Sequence, residues 1–143
     1  MNKYDTLKLE NQLCFPLYAA SREVVRKYKP FLDKIDLTYT QYITMMVLWE
    51  REEVTSKELG SLLFLDSGTL TPVLKKLEEK GLLTRSRQAS DERNLLVSIT
   101  EAGKALRDEA LFVPKGMAGC LTLSPEEAAA LYRLLYHILG KQV

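Results

Sequence analysis

The chain has 143 residues, 46% hydrophobic and 27% charged, which suits a single soluble domain able to bury its own core. Its 20 Lys and Arg against 19 Asp and Glu leave a net charge of +1, so any basic surface for a polyanion must be local. No run approaches the roughly 20 apolar residues of a membrane span, and the first residues carry no apolar signal-peptide core, so a cytoplasmic protein that avoids membranes is expected.

The first helix is expected over residues 11–33, where Leu13, Leu17, Val24, Tyr28, Phe31 and Leu32 recur at helical intervals. Pro16 is compatible with that helix only in its first turn. Capping boxes mark three further starts: Thr38 with Gln41, Thr55 with Glu58, and Ser124 with Glu127, the last followed by Pro125 in the first helical position. A second helix over 39–50 offers Ile43, Met46 and Val47 to the core, and a short third over 56–63 offers Leu59, Leu62 and Leu63. After the turn Phe64-Leu65-Asp66, a fourth helix over 67–80 carries the stripe Leu70, Val73, Leu74 and Leu77, with Gly81 as its terminator.

The period then falls from 3.6 to 2. Leu83, Arg85 and Arg87 share one strand face, and Leu95, Val97 and Ile99 alternate on a second strand beyond a polar loop over 88–93. A fifth helix capped by Thr100 is expected to end by Pro114, and a sixth over 125–139 carries Leu131, Leu134, Leu135, Ile138 and Leu139. The expected fold is mainly α with a small β-hairpin. It is a single domain over 1–143, with a winged helix-turn-helix at 36–100 and helices at 1–35 and 101–143 for dimerisation.

Opposite its apolar stripe the fourth helix presents Thr69, Thr71, Pro72, Lys75 and Lys76. Small hydroxyl side chains near the N-terminus let such a helix enter a major groove of double-stranded DNA, while lysines neutralise phosphates. Thr71 is placed to meet a base edge or a thymine methyl, and Ser67 with the N–H groups beside Gly68 to hold a phosphate. On the hairpin Arg85 and Arg87 are candidates for the DNA backbone. Arg93 is the candidate for the minor groove, with Asp91 orienting its guanidinium. Residues 67–93 hold six Lys and Arg against four Asp and Glu, so the order of elements argues for DNA more than charge does.

The run Leu65-Asp66-Ser67-Gly68-Thr69-Leu70-Thr71-Pro72-Val73-Leu74-Lys75-Lys76-Leu77-Glu78 resembles the recognition helix of MarR-type regulators. The wing Asp91-Glu92-Arg93-Asn94 and the following Ile99-Thr100-Glu101-Ala102-Gly103 fit the same family. Glu10-Asn11-Gln12-Leu13-Cys14-Phe15 and Asp36-Leu37-Thr38-Tyr39-Thr40-Gln41-Tyr42 are similar to its organic hydroperoxide resistance branch. The resemblance implies a homodimeric repressor that leaves a palindromic operator when an organic hydroperoxide oxidises a cysteine.

Cys14 and Cys120 lie 106 residues apart and form no CxxC or Cys/His cluster, so neither a disulfide framework nor a zinc site is expected. A sensing thiol reacts as its thiolate, which a helix N-terminus and phenolic donors favour. Tyr28 and Tyr39 are the candidate donors. Cys14 and Tyr28 stand about 21 Å apart along one helix and cannot touch within a subunit, whereas first helices packed antiparallel across a two-fold axis could bring them together. The resemblance implies that arrangement, with both tyrosines supplied by the partner subunit, and Cys120 as a residue that closes a disulfide between subunits. Pro16, so close to Cys14, departs from the family pattern. Tyr18 is a further candidate for the pocket, whereas Tyr42, Trp49, Tyr132 and Tyr136 read as packing and His137 as structural. No cofactor is expected, and no catalytic triad can be assembled around His137. Two alternatives remain: a MarR-type repressor released by a small aromatic ligand, and a thiol peroxidase, for which a wing and recognition helix have no use.

Overall fold

The computed structural model describes residues 2–88 and 91–141, with the backbone alone at 88 and 91–94. Two 3-10 turns, Lys3–Leu7 and Leu9–Asn11, precede α1 (Cys14–Leu32), and a third, Asp33–Ile35, leads to α2 (Tyr39–Arg51). There follow β1 (Glu53–Thr55), α3 (Ser56–Leu63), α4 (Ser67–Glu79), β2 (Leu83–Gln88) and β3 (Asp91–Ile99), then α5 (Glu101–Glu109), α6 (Phe112–Ala118) and α7 (Pro125–Ile138).

The first helix starts at Cys14 rather than at 11 because local amides hold the preceding segment. Asn11 Nδ2 donates to the Asp5 carbonyl at 2.7 Å, and Gln12 Nε2 donates to the carbonyls of Thr6 and Lys8. Pro16 therefore falls in the first turn, where its missing N–H costs no helical bond. The boxes at Thr38 and Ser124 are both closed in each direction. At Thr55 only the hydroxyl caps, because the Glu58 carboxylate turns to Arg51 at 2.7 Å. Thr100 caps α5 as expected, but the helix ends at Glu109 and a separate α6 begins, with Pro114 in its first turn.

β3 lies between β1 and β2, both antiparallel to it, so the expected hairpin gains a third strand. Three residues were too few to announce β1 by alternation, yet Val54 pairs with Val97 and both are buried. The core gathers Met45 and Leu48 of α2, Leu59 of α3, Leu70, Leu74 and Leu77 of α4, and Leu83 of β2. The stripe on α4 is as expected. On α2 the fully buried face is Tyr42, Met45 and Leu48; Ile43 and Val47 pack against the core as expected, and Met46 points outward.

Two close approaches fix the base of the wing and the end of α1. A Cβ on Gly103 would stand 2.3 Å from the Leu82 carbonyl oxygen, so α5 can rest on the start of β2 only through glycine. The Gly103 carbonyl there accepts from Trp49 Nε1 at 2.8 Å. On α6, a Cβ at Gly116 would meet the Phe31 ring at 2.2 Å, so α6 lies directly against the last turn of α1. No helix among the described residues is long and apolar enough to cross a membrane.

Candidate DNA-binding surface and thiol site

α2, α3 and α4 present a helix-turn-helix whose third member buries Leu70, Leu74 and Leu77 and exposes Ser67, Gly68, Thr69, Thr71, Pro72, Lys75 and Lys76. The five residues expected opposite the apolar stripe, Thr69, Thr71, Pro72, Lys75 and Lys76, are all exposed, as are Ser67 and Gly68 at the helix start. Their hydrogen bonding is less open than their exposure suggests. Asp66 caps the helix, accepting from the Thr69 N–H at 2.7 Å. Thr69, through its N–H and then its hydroxyl, together with the Gly68 N–H, holds that carboxyl below its ordinary range. The α4 N-terminus expected to hold a phosphate therefore already carries its own anion. The Thr71 hydroxyl donates to the Ser67 carbonyl at 2.7 Å, which leaves its methyl and lone pairs to face a base. Lys76 stands 3.6 Å from Glu79, both well exposed.

Arg85 shares a strand face with buried Leu83 and so points toward α4. Its guanidinium donates to Glu78 Oε1 at 3.1 Å and its N–H to Oε2 at 3.0 Å, tying β2 to the recognition helix. Glu78 is the residue that the sequence reading missed. The signal was present, since Arg85 alternates with an apolar neighbour and Glu78 follows the last core leucine of α4. Arg87 is exposed. The side chains of Asp91 and Arg93 lie outside the described residues. Beside α3, α4 and the hairpin runs an open cleft of about 830 Å³, lined by Phe64, Leu65, Leu70, Thr71, Leu74 and Arg85 among others.

Cys14 is the first residue of α1, exposed, among N–H groups that no side chain caps. Tyr28 and Tyr39 meet at 4.9 Å between ring centroids, and Tyr42 lies against both, at 5.9 and 6.4 Å. Burial raises the Tyr28 hydroxyl above its usual range. It does the same for Tyr39, helped by the nearby phenols of Tyr28 and Tyr136, so both stay protonated donors. The continuous α1 keeps Tyr28 about 21 Å from the Cys14 of the same chain. Tyr18 is exposed and takes a hydrogen bond from Arg22 at 3.3 Å. Cys120, just past α6, donates its thiol to the Gly116 carbonyl at 3.3 Å. Because Gly116 packs on Phe31, Cys120 sits by the far end of α1 from Cys14, and within one chain the two thiols are not close.

A capped recognition helix, a basic hairpin pinned to it and exposed apolar helices at both chain ends define a winged helix DNA-binding regulator. The model of the family "Transcriptional regulator SarA/Rot" matches residues 26–110. The organic hydroperoxide resistance transcriptional regulator of Bacillus subtilis is 50% identical over 138 residues, 96% of this chain and 94% of that one. Two solved structures of AbfR, a Staphylococcus epidermidis protein, align over 96% of both chains. Its reduced form bound to DNA gives a TM-score of 0.78 at 34% identity, and its disulfide form gives 0.65 at 37%. The chain belongs to the MarR family of transcriptional regulators, in the branch that holds the organic hydroperoxide resistance regulator and AbfR. It is a DNA-binding transcriptional repressor and, in keeping with that family, a homodimer that binds an operator.

Proposed function

We propose that this homodimer represses from a palindromic operator and releases it when an organic hydroperoxide oxidises Cys14. The observation that supports this reading most strongly is the pairing of Tyr28 with Tyr39 at 4.9 Å, half-buried and protonated, with Tyr28 a long way along α1 from the Cys14 of its own chain. The exposed apolar faces of α1 and α7 supply the surface for the partner, including Leu13, Phe15 and Leu17 beside Cys14. Antiparallel α1 helices across the two-fold axis bring Cys14 of one subunit to the tyrosines of the other.

In the proposed reaction the Cys14 thiolate attacks the terminal peroxide oxygen. An S–O bond forms, the O–O bond breaks, and the sulfur gives up two electrons, leaving a sulfenic acid. The departing alkoxide takes a proton and leaves as the alcohol. Cys120 of the other subunit then attacks the sulfenic sulfur, releasing water and closing a disulfide. Bridging requires Cα atoms within about 7 Å, so closure demands helix movement. On DNA, Thr69, Thr71 and Pro72 enter the major groove and Lys75 and Lys76 neutralise phosphates. Ser67 and Gly68 flank the entry, Arg85 sets the wing angle through Glu78, Arg87 follows the backbone, and Arg93, oriented by Asp91, reaches the minor groove.

The test is a gel shift at fixed salt with wild type, Cys14→Ser and Cys120→Ser, with and without cumene hydroperoxide. Cys14→Ser is expected to stay bound through the oxidant, and its release would overturn the redox reading. Cys120→Ser is expected to oxidise at Cys14 but form no disulfide between subunits. A second reading has one observation in its favour: the 830 Å³ cleft beside α4 is large enough for a small aromatic ligand. It requires that Cys14→Ser keep its full response to such an inducer.

A further inference from the structure

Lys80 follows the last residue of α4, where a lysine ordinarily turns its ammonium back to its own helix's free carbonyls. Here it does not. Its Nζ crosses to the turn between α1 and α2, donating to the Asp36 carbonyl and, at 3.0 Å, to Gln41 Oε1, with the Asp36 carboxylate 3.6 Å away. Asp36 is left-handed at φ 53°, and around it the Leu37 N–H returns to the Leu32 carbonyl, which closes α1. Gln41 is the reciprocal member of the α2 capping box: its Oε1 also accepts the Thr38 N–H at 3.1 Å, and the residue is only 7% exposed. The lysine therefore ends on the atoms that fix where α1 stops and where α2 starts. Tyr39 is the first residue of α2.

We propose that Lys80 is a positioning residue through which displacement of Tyr39 reaches the recognition helix. The inference rests on the reading of Cys14 and Tyr39 given above. When the phenol of Tyr39 moves to follow an oxidised sulfur, the cap of Thr38 and Gln41 moves with it. Lys80 then carries that shift into the end of α4. Lys75 and Lys76 lie on the outer face of α4, whereas the ammonium of Lys80 is engaged by the α1–α2 turn and is not a phosphate contact. A residue that merely fastened this turn would weaken operator binding equally in the reduced and oxidised states. A coupling residue changes the ratio between them.

The experiment measures dissociation constants of the full-length homodimer, reduced and after cumene hydroperoxide. Its probe is a labelled duplex enriched by the reduced wild type from a random pool. Lys80→Met keeps the stem and removes the donors. Its reduced form is expected to bind close to wild type, while the oxidised-to-reduced ratio falls by about tenfold or more. Lys80→Arg is expected to recover most of the ratio. An unchanged ratio in Lys80→Met, or equal weakening in both states, overturns the proposal. If Lys80→Met melts below the assay temperature, amide exchange in wild type decides: oxidation must raise exchange at Gln41 and Lys80 together, and unchanged protection at Lys80 overturns it. Cys14→Ser separates the two readings. If peroxide releases that variant, the sensor reading fails and this one with it. If Cys14→Ser holds the duplex while Lys80→Met is released like wild type, only the role of Lys80 fails.

Discussion

Around the sheet and α2 to α4, apolar side chains face one another: Met45, Leu48, Leu59, Leu77 and Val97 have no exposed surface at all. Along α7 no residue is buried, and Leu131, Leu134 and Ile138 lie open, as do Leu13 and Phe15 at the start of α1. The core around the sheet and α2 to α4 is thus closed within one chain, while the helices at both chain ends keep open apolar faces. A soluble protein rarely leaves so much apolar surface together unless something covers it. Tyr28 and Tyr39 pack ring against ring at 4.9 Å, tilted, at the far end of α1 from Cys14. On the function proposed above, their hydroxyls would face Cys14 of a second copy.

Stability measurements against protein concentration test this contrast with the largest effect. Leu77→Ala empties a site sealed within the chain and is expected to cost about 2–5 kcal/mol at any concentration. Ile138→Ser removes a side chain already 68% exposed, so its loss should grow as the protein is diluted, in step with a weaker dimer. Sedimentation and thermal melts over a hundredfold dilution read both. A concentration-independent loss for Ile138→Ser would mean that the open face of α7 is not an interface.

The same division governs what was legible in the sequence. The α4 stripe was plain because four apolar residues at a 3.6 period all face one core, and the hairpin was plain because its strands are buried on one side only. β1 was not, since Glu53-Val54-Thr55 is too short to alternate. On α2 Ile43 and Val47 do meet the core, but Met45 and Met46 are equivalent to a pattern and not to a packed core, which buries Met45 and leaves Met46 open. The break between α5 and α6 is hidden by Pro114, since a proline fits the first turn of a new helix as well as it stops an old one. The thiol site was beyond composition and spacing altogether. Cys14 was singled out by resemblance alone, because no spacing along one chain says what would face its thiol. Lys80 and Glu78 escaped for a different reason: each makes contacts across elements that no periodicity announces.

Lys75→Ala tests the reading half with a smaller effect. Lys75 is exposed on α4 beside Thr71 and Pro72. As a phosphate contact it carries no base information. Its loss should weaken binding to every duplex alike and flatten the salt dependence by about one unit in the logarithmic slope. Thr71→Val, by contrast, should alter preference at one or two base positions with the salt slope intact. Titrations at four salt concentrations on matched and mismatched duplexes distinguish them. If Lys75→Ala changes sequence preference and leaves the slope alone, the orientation assigned to α4 is wrong.

The smallest expected effect is an acid weakening of the link between wing and recognition helix. Arg85, through its guanidinium and then its N–H, holds the Glu78 carboxyl below its ordinary pKa. A depressed carboxyl contributes its stability above its unfolded pKa and loses it as pH falls through the folded one, so the pair is intact above pH ~4.3 and fades below. Glu78 is 38% exposed in its side chain, and solvent screening keeps the contribution below about 1 kcal/mol. Global unfolding is too blunt to see it, but the Arg85 N–H that donates to Glu78 is a local reporter. Its exchange, corrected for the intrinsic pH dependence, should accelerate as pH is lowered from about 5 through the depressed pKa of Glu78, while the Leu74 amide inside α4 stays protected. Glu78→Gln keeps an acceptor but has no charge to lose, and should flatten the dependence. An Arg85 amide equally protected across that pH range would mean that β2 is held to α4 by Leu83 and its apolar neighbours alone, and that the wing angle owes nothing to this ion pair.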